Sequence, residues 1–132
     1  MEINKMYKIA LQYKQNAYTP YSNYNVGCCV KDKEGNYYGG CNIENASFGL
    51  SNCAERTAIF KAISEGLKDF DALYVFGETE EPISPCGACR QVIKEFSNED
   101  TKIIIAKNEN EYKIYNIEGL LPHGFSGDDV NV

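Results

Sequence analysis

The sequence predicts a three-layer α/β/α sandwich built on a mixed five-stranded sheet. Three observations carry that prediction. Apolar periodicity and turn residues divide the chain into the order α-β-β-α-β-α-β-β. The strand–helix–strand unit from Ala72 to Lys107 calls for a right-handed parallel crossover. The last two strands have only a few residues between them, around Asn108-Glu109-Asn110. That gap is too short for a crossover, so they should pair antiparallel.

Each element has its own local reason. From Glu2 to Ala17, apolar residues at Ile3, Met6, Tyr7, Ala10 and Tyr13 fall on one face of a helix. Thr19-Pro20-Tyr21-Ser22-Asn23 is a loop. Asn25–Lys31 and Tyr37–Ile43 read as strands, and Asp32-Lys33-Glu34-Gly35-Asn36 between them is a hairpin signal. Cys53–Glu65 reads as a helix closed by Gly66, and Ala72–Gly77 as a buried strand. Pro85, at the favoured first turn, opens a helix running to about Phe96. Lys102–Lys107 and Glu111–Ile117 complete the strands. The tail after Gly127 is expected to fray.

Composition bounds the function. The chain has 132 residues, of which 43% are apolar and 24% charged. No repeat, low-complexity tract or linker divides residues 1–132, so a single domain is expected. The formal charge of −6 argues against binding nucleic acid through its phosphates. Ala72-Leu73-Tyr74-Val75-Phe76 is among the longest apolar runs, whereas a membrane-spanning helix needs about 20 residues. The start, Met1-Glu2-Ile3-Asn4-Lys5, has neither the basic start nor the apolar stretch of a secretory signal, so a cytoplasmic location is expected. In that reducing compartment the six cysteines should be thiols, although an even count also permits three disulfides. Arginine occurs only twice, as Arg56 and Arg90, each beside cysteine-rich sequence.

Two cysteine motifs carry the chemistry. Pro85-Cys86-Gly87-Ala88-Cys89 places a C-x-x-C at a helix start, where free N–H groups and the helix dipole stabilise thiolates. Alone it also fits a structural zinc knuckle or a redox pair, though a thioredoxin-like site requires a different strand–helix order. Asn52-Cys53-Ala54-Glu55-Arg56 opens another helix and supplies a third thiol. Three protein ligands with an open fourth position suit catalytic zinc, and four suit structural zinc. His123, the only histidine, reads as a surface residue in a turn, and Cys28, Cys29 and Cys41 read as small buried hydrophobes in strands. Were one of these the fourth ligand, the site would be closed. Glu55 separates the two readings. Two positions after a ligand, it can approach a metal-activated water and shuttle protons; taken alone, it is also a dipole-favoured first-turn glutamate.

The pattern C-x-E followed by P-C-x-x-C is that of the zinc deaminases. The sequence closely resembles cytidine deaminases of the small, homotetrameric, three-cysteine type, from about Ala10 to Phe125. The matching stretches are Tyr18-Thr19-Pro20-Tyr21-Ser22, Gly40-Cys41-Asn42-Ile43-Glu44-Asn45-Ala46, Cys53-Ala54-Glu55-Arg56-Thr57-Ala58, Pro85-Cys86-Gly87-Ala88-Cys89-Arg90-Gln91-Val92 and Leu120-Leu121-Pro122.

The resemblance implies a cytidine deaminase-like fold and hydrolytic deamination of cytidine and deoxycytidine in pyrimidine salvage. It implies one zinc per chain on Cys53, Cys86 and Cys89, with Glu55 as proton shuttle. Asn42 and Glu44 would bind the ribose hydroxyls, Tyr24 and Ala54 would border the substrate, and Phe125 would pack against the base in a neighbouring subunit. An amide and a carboxylate suit neutral hydroxyls, and a carboxylate repels phosphate, so a nucleoside is the expected substrate. Arg56 could offset the thiolate charge by hydrogen-bonding the sulfurs, and Arg90 fits either that site or a structural ion pair. Family members commonly carry phenylalanine at Tyr24 and alanines at Cys28 and Cys29. Two rivals stand beside this reading: a deaminase acting on nucleotides, blasticidin-type nucleosides or nucleic acid, and a non-catalytic zinc module.

Overall fold

A computed structural model describes residues 2–67, 69–77 and 85–130. Its long elements are α1 (Glu2–Lys14), β1 (Val26–Asp32), β2 (Tyr37–Cys41), α2 (Ala54–Ser64), β3 (Phe70–Gly77), α3 (Gly87–Phe96), β4 (Lys102–Ala106) and β5 (Tyr112–Tyr115). Two short helices, α4 (Ile117–Leu120) and α5 (Gly127–Val130), follow. The strands form one sheet in the order β2-β1-β3-β4-β5. β1 runs antiparallel to β2 and β3, β3 and β4 are parallel, and β5 returns antiparallel to β4. The mixed five-stranded α/β architecture expected from the sequence is the one observed.

Side chains alternate across each strand, and both faces of the sheet are covered. Cys28, Val30, Leu73, Val75, Ile103 and Ile105 face a core completed by Ala54, Ala58 and Ile59 of α2 and Ile93 of α3. Cys29, Tyr74, Phe76 and Ile104 point the other way, onto Met6 and Ala10 of α1. Cys28 and Cys29 are thus small buried side chains on opposite faces. β1 is buried along its whole length, including Lys31, whose ammonium lies 2.6 Å from Asp71 of β3.

α2 lies tight on the sheet for a backbone reason. A Cβ built on Gly40 of β2 would stand 2.5 Å from the main-chain nitrogen of Ala58, so only glycine allows this approach. Gly66, at φ +97, closes the helix as expected. α2 and α3 share the same sheet face, which brings their N-termini into one region.

The structure corrects several element ends. α1 stops at Lys14, whose carbonyl accepts from Ala17 N and from the Asn25 side chain, so residues 15–17 form a turn. β3 begins two residues early, because Asp32 pairs with Phe70 past a bulge. β5 ends at Tyr115, since the Asn116 side chain accepts from Gly119 N at 2.8 Å and caps α4. Of the tail expected to fray, Gly127–Val130 form the short helix α5, and residues 131–132 lie outside the described residues: Ser126 N donates to Asp129 Oδ2 across 2.8 Å and fixes the first turn. No helix among the described residues is long and apolar enough to cross a membrane.

Candidate active site

The three expected thiols meet where α2 and α3 begin. Cys53 caps α2 and Cys86 caps α3, both in extended conformation, and Cys89 lies buried in the first turn of α3. Cys53 Sγ is 3.7 Å from Cys86 Sγ, and Cys86 Sγ is 3.2 Å from Cys89 Sγ. All three sulfurs lie within 4.8 Å of one another. Four bonds of about 2.3 Å in a tetrahedron separate sulfurs by about 3.8 Å, so this triangle matches a zinc-thiolate face. All six cysteines are free thiols, which removes the alternative of three disulfides. Among the described residues the cluster of possible ligands ends at these three. Cys28 and Cys29 are buried in β1 and Cys41 in β2, and exposed His123 sits at φ +57 in a turn where its N–H donates to Glu118.

Local electrostatics favour a thiolate. Arg56 Nη2 donates to Cys53 Sγ across 3.4 Å. The adjacent Cys89 thiol, followed by the bond from Arg56, holds the Cys53 thiol down to about 5 against the effect of burial. Cys89 is correspondingly pushed up, first by the Cys53 sulfur beside it and then by burial. The N–H of Cys89 donates to Cys86 Sγ at 3.4 Å, so the start of α3 serves its own cap.

Glu55 is 5% exposed, unusual for a first-turn helical glutamate. Burial pushes its carboxyl up to about 7, aided by the nearby Cys53 charge and opposed by hydrogen bonds from its own backbone and Cys89. A carboxyl poised there can both take and return a proton at neutral pH.

A cavity of about 780 Å³ adjoins the sulfurs. Its wall includes Cys53, Cys86, Arg56, Asn42 and Glu44, together with Phe48 of a 3₁₀ turn (Phe48–Leu50). Asn42 is fixed at both ends of its amide: Oδ1 accepts from Val26 N at 2.9 Å, and Nδ2 donates to Tyr24 O at 2.8 Å. Each end retains one further hydrogen-bonding position. Glu44 accepts from the N–H groups of Tyr21 and Ser22, at 3.1 and 3.2 Å, and from the Ser22 hydroxyl. The Ser22 hydroxyl bond is the leading cause that keeps its carboxyl below the usual range.

The other expected residues stand apart from this wall. Tyr24 packs half-buried against the α2–α3 core, and its carbonyl is the one held by Asn42. Ala54 is buried in the core, which leaves only its main chain to face a substrate. Phe125 is 58% exposed beyond α4 and does not line the cavity formed by the described residues. Ser22 and Phe48 were not assigned roles by sequence reasoning. Ser22 lies within a matched stretch, Thr19-Pro20-Tyr21-Ser22, which was the available signal; nothing in the sequence marks Phe48.

Comparison with known proteins agrees with this geometry. The family model described as "Cytidine and deoxycytidylate deaminase zinc-binding region" matches residues 1–107. The cytidine deaminase of Halalkalibacterium halodurans is 44% identical over 131 residues, 99% of each chain. That of Sporosarcina psychrophila is 42% identical, over 99% of this chain and 96% of its own. The crystal structure of cytidine deaminase from Burkholderia pseudomallei superposes with a TM-score of 0.88 at 40% identity, covering 92% of this chain and 98% of the other. With its fold and most of its length shared with these proteins, the chain belongs to the zinc-binding cytidine and deoxycytidylate deaminase family.

Proposed function

We propose that this protein hydrolyses the amino group of cytidine and deoxycytidine, giving uridine or deoxyuridine and ammonia, in pyrimidine salvage. One observation carries the proposal: a three-thiol cluster with no fourth protein ligand among the described residues stands beside a buried carboxyl and opens onto a cavity. One zinc per chain would be held by Cys53, Cys86 and Cys89, and when bound it supplies Lewis-acid activation of water at neutral pH.

The chain's own residues account for the rest. Glu55 takes a proton from the attacking water and delivers it to N3 as oxygen bonds to C4. It then takes the proton of the new C4 hydroxyl and passes it to the amino nitrogen, the C4–N bond breaks, and ammonia leaves. Three thiolates leave a zinc site with a net negative charge, which opposes water ionisation. The N-termini of α2 and α3 and the Arg56 guanidinium offset it. Asn42 and Glu44 take the ribose hydroxyls, held in place by the backbone of Val26 and Tyr24 and by Ser22. Tyr24 and the main chain of Ala54 border the substrate.

Phe125, exposed in the single chain, covers the base in a neighbouring subunit of a homotetramer. The six free thiols suit a reducing cytoplasm. The direct test combines metal analysis with loss of cytidine absorbance. About one zinc per chain is expected, with turnover that stops on chelation and returns with added zinc. Full activity in metal-free protein would overturn the proposal.

A further inference from the structure

Arg90 takes the carbonyls on both sides of Cys86. Its main-chain N–H donates to Cys86 O across 3.0 Å, and its Nε donates to Pro85 O across 2.9 Å. Those carbonyls belong to the two peptide planes that meet at the Cys86 α-carbon. Fixing both planes fixes φ and ψ there, and with them the direction of the Cα–Cβ bond from which the Cys86 sulfur hangs. Packing cannot do this, because Cys86 is exposed, whereas Cys89 is buried. The same guanidinium reaches a third segment: Nη1 donates across 2.6 Å to Leu120 O, at the end of α4. One residue along α3, Gln91 Nε2 donates to Phe125 O across 2.9 Å.

Two adjacent side chains of one helix therefore hold the approach to Cys86 and both ends of the segment 120–125. We infer that Arg90 and Gln91 are positioning residues that register the Cys86 ligand and the Phe125 segment against α3. Arg90 governs retention of the metal, and Gln91 governs the placement of Phe125. The rigid fork of arginine suits the first task, since it offers donors in two fixed directions where a lysine ammonium is a single point. The inference rests on the proposed roles of the three cysteines and Phe125.

The test compares zinc-loaded parent protein with Arg90→Gln, Arg90→Lys and Gln91→Met. Three quantities are read: the rate of zinc release to excess chelator, KM and kcat for cytidine, and the thermal midpoint. Arg90→Gln should release zinc about tenfold faster or more, the usual scale for residues that orient metal ligands. Arg90→Lys, able to reach one carbonyl, should fall between it and the parent. Gln91→Met should raise KM with kcat and zinc release unchanged, a split that general destabilisation does not produce. Zinc release from Arg90→Gln at the parent rate would overturn the inference, as would an unchanged KM in Gln91→Met. If Arg90→Gln fails to fold, Arg90→Lys decides: faster release supports the inference and parent-like release overturns it. A parent that binds no zinc overturns the zinc reading beneath it, a result distinct from a zinc-loaded parent matched by its Arg90 variants.

Discussion

The guanidinium of Arg56 hydrogen-bonds the sulfur of Cys53 at 3.4 Å, three residues along α2 from the cysteine that caps it. Helical spacing makes this contact, since positions i and i+3 share a face. It supplies positive charge where three thiolates would otherwise accumulate. Arg56→Gln should lower activity by about ten- to a hundredfold, and Arg56→Lys should recover part of it through charge alone. Steady-state kinetics on zinc-loaded variants would show this, and a parent-like rate in Arg56→Gln would remove the guanidinium from the account.

The β1–β2 hairpin should make stability fall in acid. Asp32 accepts from the N–H groups of Glu34 and Asn36, at 2.9 and 2.8 Å, and from the Asn36 side chain at 3.0 Å. Burial works to raise its carboxyl, and these bonds outweigh it, leaving the group below its usual range. A depressed folded value means that the ionised form stabilises the fold above about pH 4, and that this contribution is lost as pH falls further. Asp32→Asn should therefore cost roughly 1–3 kcal/mol at pH 7, and the gap from the parent should shrink by pH 3. Denaturant midpoints at the two pH values measure it. An equal gap at both would show that ionisation is not the source.

Phosphorylated substrates should be rejected. Glu44 lies in the cavity wall, and the Ser22 hydroxyl and two N–H groups hold it ionised. Arginine, suited to bidentate phosphate contacts, occurs twice; Arg56 is committed to Cys53, and Arg90 binds the carbonyls of Pro85 and Leu120. Cytidine and deoxycytidine should be turned over, with kcat/KM for CMP and dCMP lower by ~10²-fold or more. Side-by-side assays of cytidine and CMP decide this, and comparable efficiencies would move the protein to the nucleotide branch of its family.

Much of this was legible in the sequence where local patterns were strong. The short gap at Asn108-Glu109-Asn110 allowed only an antiparallel β4–β5 pair, and the two cysteine motifs opened the helices on which they were expected. Two short helices escaped notice although their caps were written in the chain. Asn116 stands three residues before Gly119, and Ser126-Gly127-Asp128-Asp129 has the spacing of a capping box. The burial of Lys31 could not be read, because its partner Asp71 is 40 positions away. Nor could the engagement of Asn42 with the backbone of Val26 and Tyr24, which depends on how β1 and β2 are brought together. Motifs name the reacting groups, and long-range packing decides how they are held.

The central claim is that Glu55 moves the protons of the reaction. Its burial beside the three thiols, with a carboxyl pushed up to about 7, is the feature that separates a catalytic centre from a structural zinc knuckle. Glu55→Gln preserves shape and removes the titrating group. In zinc-loaded protein it should lower kcat for cytidine by ~10²–10⁴-fold while zinc content stays at the parent level. A Glu55→Gln variant that binds zinc and turns over cytidine nearly as fast as the parent would contradict the account, and Glu55 would then be only a helix-start residue.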